Sequence, residues 1–175
     1  MELKTDRLII REFVEEDWQA VHAYGGNAAT VELMDFGPNT PEETKCFIQR
    51  AIVNAQQLPR IIYDFAVVLE KTNVLIGGVG LCVSDPQNQN AHIGYVFHSD
   101  YWGHGFATEA ASELVKFAFE QLGLHRVWAT CRPQNKASAR VLEKVGLYYE
   151  GHLKEDKLIR GKWVDSLLYA RIFSK

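Results

Sequence analysis

The segment Tyr95–Ala111 reads YVFHSDYWGHGFATEAA. It closes a stretch from Ala91 to His98, rich in aromatic and β-branched side chains, which predicts a strand. It opens a helix from about Gly105 to Leu122, with Ala107, Ala110, Ala111, Leu114, Ala118 and Leu122 as its apolar stripe and Gly123 as its stop. Between the two lies Gly103-His104-Gly105-Phe106-Ala107-Thr108. Glycine lets the backbone pass close to a ligand and reach positive φ without a Cβ penalty. The helix start leaves N–H groups without intrahelical partners and carries partial positive charge, so a pyrophosphate is a natural occupant. A tight turn that holds nothing satisfies the same residues. Two other phosphate loops are excluded. No Gly-Lys-Ser/Thr follows the glycines, and Thr108 stands where a dinucleotide fingerprint needs its third glycine.

Outward from this segment, strands and helices alternate. Leu3 to Glu12 predicts one strand, and Glu15-Glu16-Asp17 opens a helix carrying Trp18, Val21 and Tyr24. Thr40-Pro41-Glu42-Glu43 is a helix start with Thr40 as cap and Glu43 three residues on. Tyr63 to Leu69 and Val74 to Val83 predict a hairpin turning at Glu70–Asn73. Downstream come a strand from Arg126 to Cys131, a helix from Asn135 to Lys144, and strands at Leu147–Gly151 and Trp163–Ile172. The fold class is mixed α/β with antiparallel hairpins, unlike the regular alternation of a doubly wound nucleotide fold. Residues 1–175 are expected to form one domain.

Composition narrows the function classes. Of 175 residues, 19 are Lys or Arg and 22 are Asp or Glu, a net charge of −3. That balance gives no electrostatic footprint for nucleic acid or an anionic membrane. No apolar run reaches the roughly 20 residues of a membrane helix, and the start does not read as a signal peptide. Three widely spaced cysteines, Cys46, Cys82 and Cys131, argue against a disulfide framework or zinc site, and the histidines lack metal-ligand spacing. The expectation is a cytoplasmic protein with no metal.

The glycine segment resembles the acyl-coenzyme A loop of the GNAT superfamily of N-acetyltransferases, whose pattern is Arg/Gln-x-x-Gly-x-Gly/Ala. Here it runs Trp102-Gly103-His104-Gly105-Phe106-Ala107, with Trp in the first position. That wording is similar to the ribosomal-protein-alanine N-acetyltransferase-like branch. Thr5-Asp6-Arg7-Leu8-Ile9-Ile10-Arg11, Asn135-Lys136-Ala137-Ser138, Leu142-Glu143-Lys144-Val145-Gly146 and Gly161-Lys162-Trp163-Val164-Asp165 echo the same branch in order along the chain.

The resemblance implies a central, mostly antiparallel, splayed sheet flanked by helices, with acetyl-CoA as co-substrate and a primary amine as acceptor. It implies that the main chain of Phe97 and His98 bonds the pantetheine arm. The loop Trp102, Gly103, His104, Gly105, Phe106, Ala107 and Thr108 would hold the pyrophosphate, and Asn135 would bond the cofactor near its thioester. Direct transfer needs a deprotonated amine, an oxyanion donor and a proton for the thiolate. The resemblance points to a backbone N–H near Phe97 as that oxyanion donor. Many relatives use a tyrosine seven residues after the asparagine, where this chain has Leu142. Ser138 is the substitute acid, with a binding or helix-surface role as the alternative. His92 takes the place where relatives often carry a glutamate base. His98, Asp100, Asp165 or no dedicated base at all remain open. Met34 and Phe36 are the expected acceptor contacts, while Trp18 and Tyr24 read as core or rim. A protein or peptide N-terminus is the leading acceptor, ahead of a polyamine, an aminoglycoside or another small amine. A non-catalytic acyl-CoA-binding regulatory domain is the reading of another class. Monomer and homodimer both stay open.

Overall fold

The computed structural model describes residues 1–173. Among the described residues, eight strands form one sheet: β1 (Glu2–Lys4), β2 (Leu8–Glu12), β3 (Ile62–Leu69), β4 (Val74–Asp85), β5 (Asn90–Phe97), β6 (Arg126–Cys131), β7 (Tyr148–Ile159) and β8 (Lys162–Ile172). Their order across the sheet is β1-β2-β3-β4-β5-β6-β8-β7. Every neighbouring pair is antiparallel except β5 with β6. The helices are α1 (Trp18–Gly25), α2 (Ala28–Val31), α3 (Pro41–Ala55), α4 (Phe106–Glu120) and α5 (Lys136–Lys144). None of them is long and apolar enough to cross a membrane.

Alternation along the strands builds two cores. Phe65 and Val67 of β3 point to one face, where Val79, Leu81, Ile93 and Phe97 meet Ala110, Ala111, Leu114 and Phe117 of α4 and Leu142 of α5. Ala66, between them, points to the other face and packs with Phe13, Val21 and Tyr24 and with Ile48 and Ala51 of α3. The capping box that starts α3 is formed: Glu43 N–H donates to Thr40 Oγ1 at 3.2 Å and Thr40 N–H donates to Glu43 Oε2 at 2.8 Å. Near the start of α1, buried Asp17 takes two bonds from the Arg11 guanidinium, at 2.7 and 2.9 Å, and one from Val14 N–H.

Two strand expectations are corrected. Leu3 to Glu12 is a hairpin, β1 and β2, because Thr5 folds the chain back: its Oγ1 accepts Leu8 N–H at 3.0 Å and its N–H donates to the Leu8 carbonyl. The strand expected at Leu147–Gly151 is β7, which continues to Ile159 through the charged run Lys154–Lys157. Residues Lys154–Asp156 form a bulge, with Glu155 at φ +48° and its N–H on Asp165 Oδ1, and pairing with β8 resumes at Lys157; a second register shift falls at Tyr149/Gly151. The short helix α2, capped by the Asn27 side chain, carries too few residues to show a period.

Candidate active site

The parallel ladder between β5 and β6 has three rungs, Asn90–Arg126, Ala91–Val127 and His92–Trp128. Beyond His92 the strands part, while β5 stays paired with β4 as far as Phe97. His98 N–H donates to the Ile76 carbonyl of β4 at 2.9 Å, which fixes the phase of the strand. Alternate residues bond to opposite edges, so Gly94 and Val96 face β4, whereas Ile93, Tyr95 and Phe97 turn their main chain toward the gap. The sheet therefore holds a wedge lined on one side by unpaired backbone.

At the far end of β5 the chain makes a 3-10 turn, Ser99–Tyr101, and reaches the glycine loop. Gly103 and Gly105 lie at φ +80° and +82°, in the left-handed region. Gly105 is the residue before α4 and offers no side-chain cap; the first intrahelical bond is Glu109 N–H to the Gly105 carbonyl at 3.0 Å. The N–H groups of Phe106, Ala107 and Thr108 are left without intrahelical acceptors. His104 is exposed. Trp102 is half-exposed, and its indole donates to the Phe97 carbonyl at 2.8 Å, tying the loop to the end of β5.

The loop is also clamped from the β1–β2 turn. Arg7 donates to the His104 carbonyl at 3.1 Å and to Glu109 Oε2 at 2.7 Å, with its guanidinium 4.5 Å over the Phe106 ring. Glu109 takes further bonds from Thr5 Oγ1 at 2.5 Å and Arg7 N–H at 3.0 Å. Burial pushes the Glu109 carboxyl up, but the bonds from Thr5 and Arg7 outweigh it and hold it below the ordinary carboxylate range. Thr5 and Arg7 stand in one of the motifs quoted above, yet a single sequence does not show what touches Glu109 about a hundred residues on.

On the other wall of the wedge, Asn135 caps α5: its Oδ1 accepts Ser138 N–H at 3.0 Å, which leaves the amide N–H2 free to donate. The Ser138 hydroxyl lies 2.9 Å from Tyr95 Oη. Leu142 is wholly buried, as its place in the core requires. His92 occupies the last rung, its ring 5.1 Å from that of Trp128 and its Nδ1 buried without a partner. Burial, and then the charge of Lys157, push the imidazole below its ordinary pKa, so it is neutral at neutral pH. His92 alternates with Ile93 and Tyr95 and so faces away from α4, on the opposite side of the sheet from Ser138.

Met34 and Phe36 sit in a loop held by the tip of the β7–β8 hairpin. Arg160 donates to the carbonyls of Val31, Glu32, Phe36 and Gly37, at 2.7 to 3.3 Å. Lys157 pairs with Asp35 and donates to Thr130 Oγ1 at 3.3 Å. The loop thus borders the same side of the sheet as His92. Tyr24 is buried in the core, and Trp18 is at the rim under Lys45.

Two expectations change. Both main-chain groups of His98 are engaged, the N–H with Ile76 and the carbonyl with Tyr101 N–H at 3.0 Å, so the unpaired backbone belongs to Tyr95 and to the N–H of Phe97, whose carbonyl holds the Trp102 indole. Asp165 accepts from Glu155 N–H at 2.9 Å and pairs with His152 at 2.6 Å, which holds it below the ordinary range and commits it to the hairpin.

Comparison with known proteins follows the same outline. Residues 7–148 match the model of the acetyltransferase (GNAT) domain. The uncharacterised N-acetyltransferase YnaD of Bacillus subtilis is 34% identical over 171 residues, 97% of this chain and 96% of that protein. The ribosomal protein uS5-alanine N-acetyltransferase of Escherichia coli is 24% identical over 96% of this chain and 89% of its own. A GNAT-family acetyltransferase from Bacillus anthracis, 33% identical, superposes with a TM-score of 0.87 over 98% of both chains. RimL, the ribosomal L7/L12 alpha-N-protein acetyltransferase in complex with coenzyme A, is 23% identical and shares the fold at a TM-score of 0.88, covering 99% of this chain and 98% of its own. A mixed α/β sheet that splays behind a glycine loop, together with these matches, makes this chain a member of the GNAT family of acetyltransferases.

Proposed function

We propose that this enzyme moves an acetyl group from acetyl-CoA directly to the primary amine of a protein or peptide N-terminus. The observation that carries the reading is the wedge: the main chain of Tyr95 and the N–H of Phe97 face, unpaired, a gap that ends at an uncapped helix N-terminus. An extended amide-bearing arm pairs with such an edge as an added strand does. A pyrophosphate suits the N–H groups of Gly103 to Thr108. The free amide of Asn135 would donate to the arm near the thioester. Phe97 N–H, aimed into the gap, would receive the oxyanion as the acetyl carbon becomes tetrahedral. Neutral His92 would accept the amine proton, directly or through one water, and Ser138 would donate toward the departing sulfur. The acceptor would enter past Met34 and Phe36. The N-terminal acceptor rests on the names of the relatives that modify ribosomal proteins.

The test is the thermal midpoint with acetyl-CoA, coenzyme A, ATP and NAD, followed by thiol release with Ala- and Ser-initiated peptides, a polyamine and an aminoglycoside. Ligand at about 100 times its Kd adds about 2.7 kcal/mol, which raises the midpoint by roughly 5 to 10 °C. A rise with acetyl-CoA and coenzyme A alone, then thiol release with the peptides, is the expected result. A rise with NAD, or with none of the four, overturns the reading of the wedge. Release with the polyamine or the aminoglycoside only moves the acceptor to a small amine.

A further inference from the structure

With Leu142 packed in the core, α5 carries no phenol at the position where many relatives have one. The sheet brings a phenol to α5 one turn earlier, at Ser138. Tyr95 leaves the unpaired half of β5 and meets α5, its Oη 2.9 Å from Ser138 Oγ and 3.2 Å from the Ser138 carbonyl. Resting on the acetyl-CoA reading above, we propose that Tyr95 is a positioning residue, which donates to Ser138 Oγ and so aims the serine hydrogen at the sulfur of a departing coenzyme A thiolate.

The Ser138 carbonyl lies on the backbone ladder of α5 and is the longer of the two contacts, whereas Oγ has two lone pairs and one hydrogen. If Tyr95 donates to Oγ, the serine hydrogen has to point elsewhere. Asn135 Oδ1 is bonded by Ser138 N–H and not by the hydroxyl, whose bonded partner is Tyr95. The hydroxyl's other neighbour is the buried Cys131 thiol, a weak acceptor, so the serine hydrogen is held by no strong protein acceptor and can turn to an arriving sulfur. Burial keeps the Tyr95 phenol well above its ordinary pKa, so it remains a donor across the working pH range. In the reaction the thioester C–S bond breaks as the amide C–N bond forms. The acceptor nitrogen loses one proton and the sulfur gains one through solvent. Ser138 and Tyr95 share hydrogens with the sulfur and with each other, and neither ends as an anion.

The test needs no acceptor. Coenzyme A is bound to wild type, Tyr95→Phe, Ser138→Ala and the double variant. The ionisation of its thiol is followed by thiolate absorbance against pH, with desulfo-coenzyme A as the blank. A hydrogen bond to the charged form favours it, so wild type should hold the thiol about one unit lower than either single variant. The double variant should match the singles, because the two residues act as one donor. If Ser138→Ala moves the titration and Tyr95→Phe leaves it at the wild-type value, the role of Tyr95 is overturned and Ser138 stands alone. If neither moves it although coenzyme A binds, the sulfur does not meet Ser138 and both roles fall. If coenzyme A does not bind to wild type, the acetyl-CoA reading itself fails. Thermal midpoints of the variants with and without coenzyme A separate a lost bond from a lost fold.

Discussion

Replacing Gly105 by alanine isolates what the glycine loop does, because a second glycine provides the control. Gly105 precedes α4 at φ +82°, and Gly123 follows the same helix at φ +64°. A Cβ built on Gly123 meets nothing within 4 Å, and one on Gly105 meets only Arg7 Nη2 at 3.6 Å, an ordinary contact. Neither substitution causes a clash, so both carry the same backbone cost, about 1 to 2 kcal/mol for an L-residue in the left-handed region. For a chain of this size each should lower the thermal midpoint by roughly 2 to 8 °C. Only Gly105 stands in front of the free N–H groups of Phe106 to Thr108. Its alanine variant should raise the Kd for coenzyme A at least about tenfold, or 1.4 kcal/mol, while Gly123→Ala leaves it unchanged. Calorimetric titration with coenzyme A and with desulfo-coenzyme A, which keeps the pyrophosphate, checks this. Equal affinity in the two variants would refute the placement of the phosphates at α4, even if the chain binds coenzyme A elsewhere.

Three further outcomes are expected. Ser138→Ala should lower kcat by about 10- to 100-fold with the KM for acetyl-CoA within about twofold, as for a contact made in the transition state; equal loss of both makes Ser138 a binding residue. Arg160→Ala removes a charged donor from four carbonyls at once and should reduce stability by about 2 kcal/mol, with Arg160→Lys recovering less than half; a midpoint within about 1 °C of wild type removes the anchoring role. His92 has its pKa depressed by burial, so the unfolded chain binds the proton more readily. Its contribution is full above the unfolded value near 6.5 and is lost as pH falls through the lower folded value. His92→Gln should therefore flatten the loss of midpoint between about pH 7 and 5, and an unchanged slope counts against a buried neutral imidazole.

What could be read from the chain and what could not divide along sequence distance. The Thr40–Glu43 box, the glycine stop after α4 and the Asn135 cap are local chemistry, and each is formed where its residues stand. The glycine loop was legible for the same reason: φ above zero and a helix start are fixed within a few residues. β7 was cut short because Lys154, Glu155 and Asp156 look like a loop; they bulge from the strand, and the pairing that carries it on from Lys157 to Ile159 comes from β8. The single strand drawn from Leu3 to Glu12 ignored the side chain of Thr5. In the site, Arg7 on Glu109, Tyr95 on Ser138 and Arg160 on the Val31–Gly37 carbonyls each join residues 43 to 129 positions apart. Nothing in the spacing of one sequence encodes such pairs. The engaged main chain of His98 was hidden likewise, since strand phase is decided by the neighbouring strand.

The three-rung seam between β5 and β6 also bears on how the protein escapes aggregation. A strand with unpaired N–H and C=O groups invites another chain to pair with it, and proteins usually blunt such edges with charge, proline or bulges. Here the bare half of β5 carries none of these: Ile93, Gly94, Tyr95, Val96 and Phe97 form an apolar, strongly strand-forming run. Its protection is position. The edge lies inside the sheet, walled by β6 on one side and by α4 and α5 on one face, so a foreign strand cannot lie alongside it. Only a chain thin enough to enter end-on can reach it.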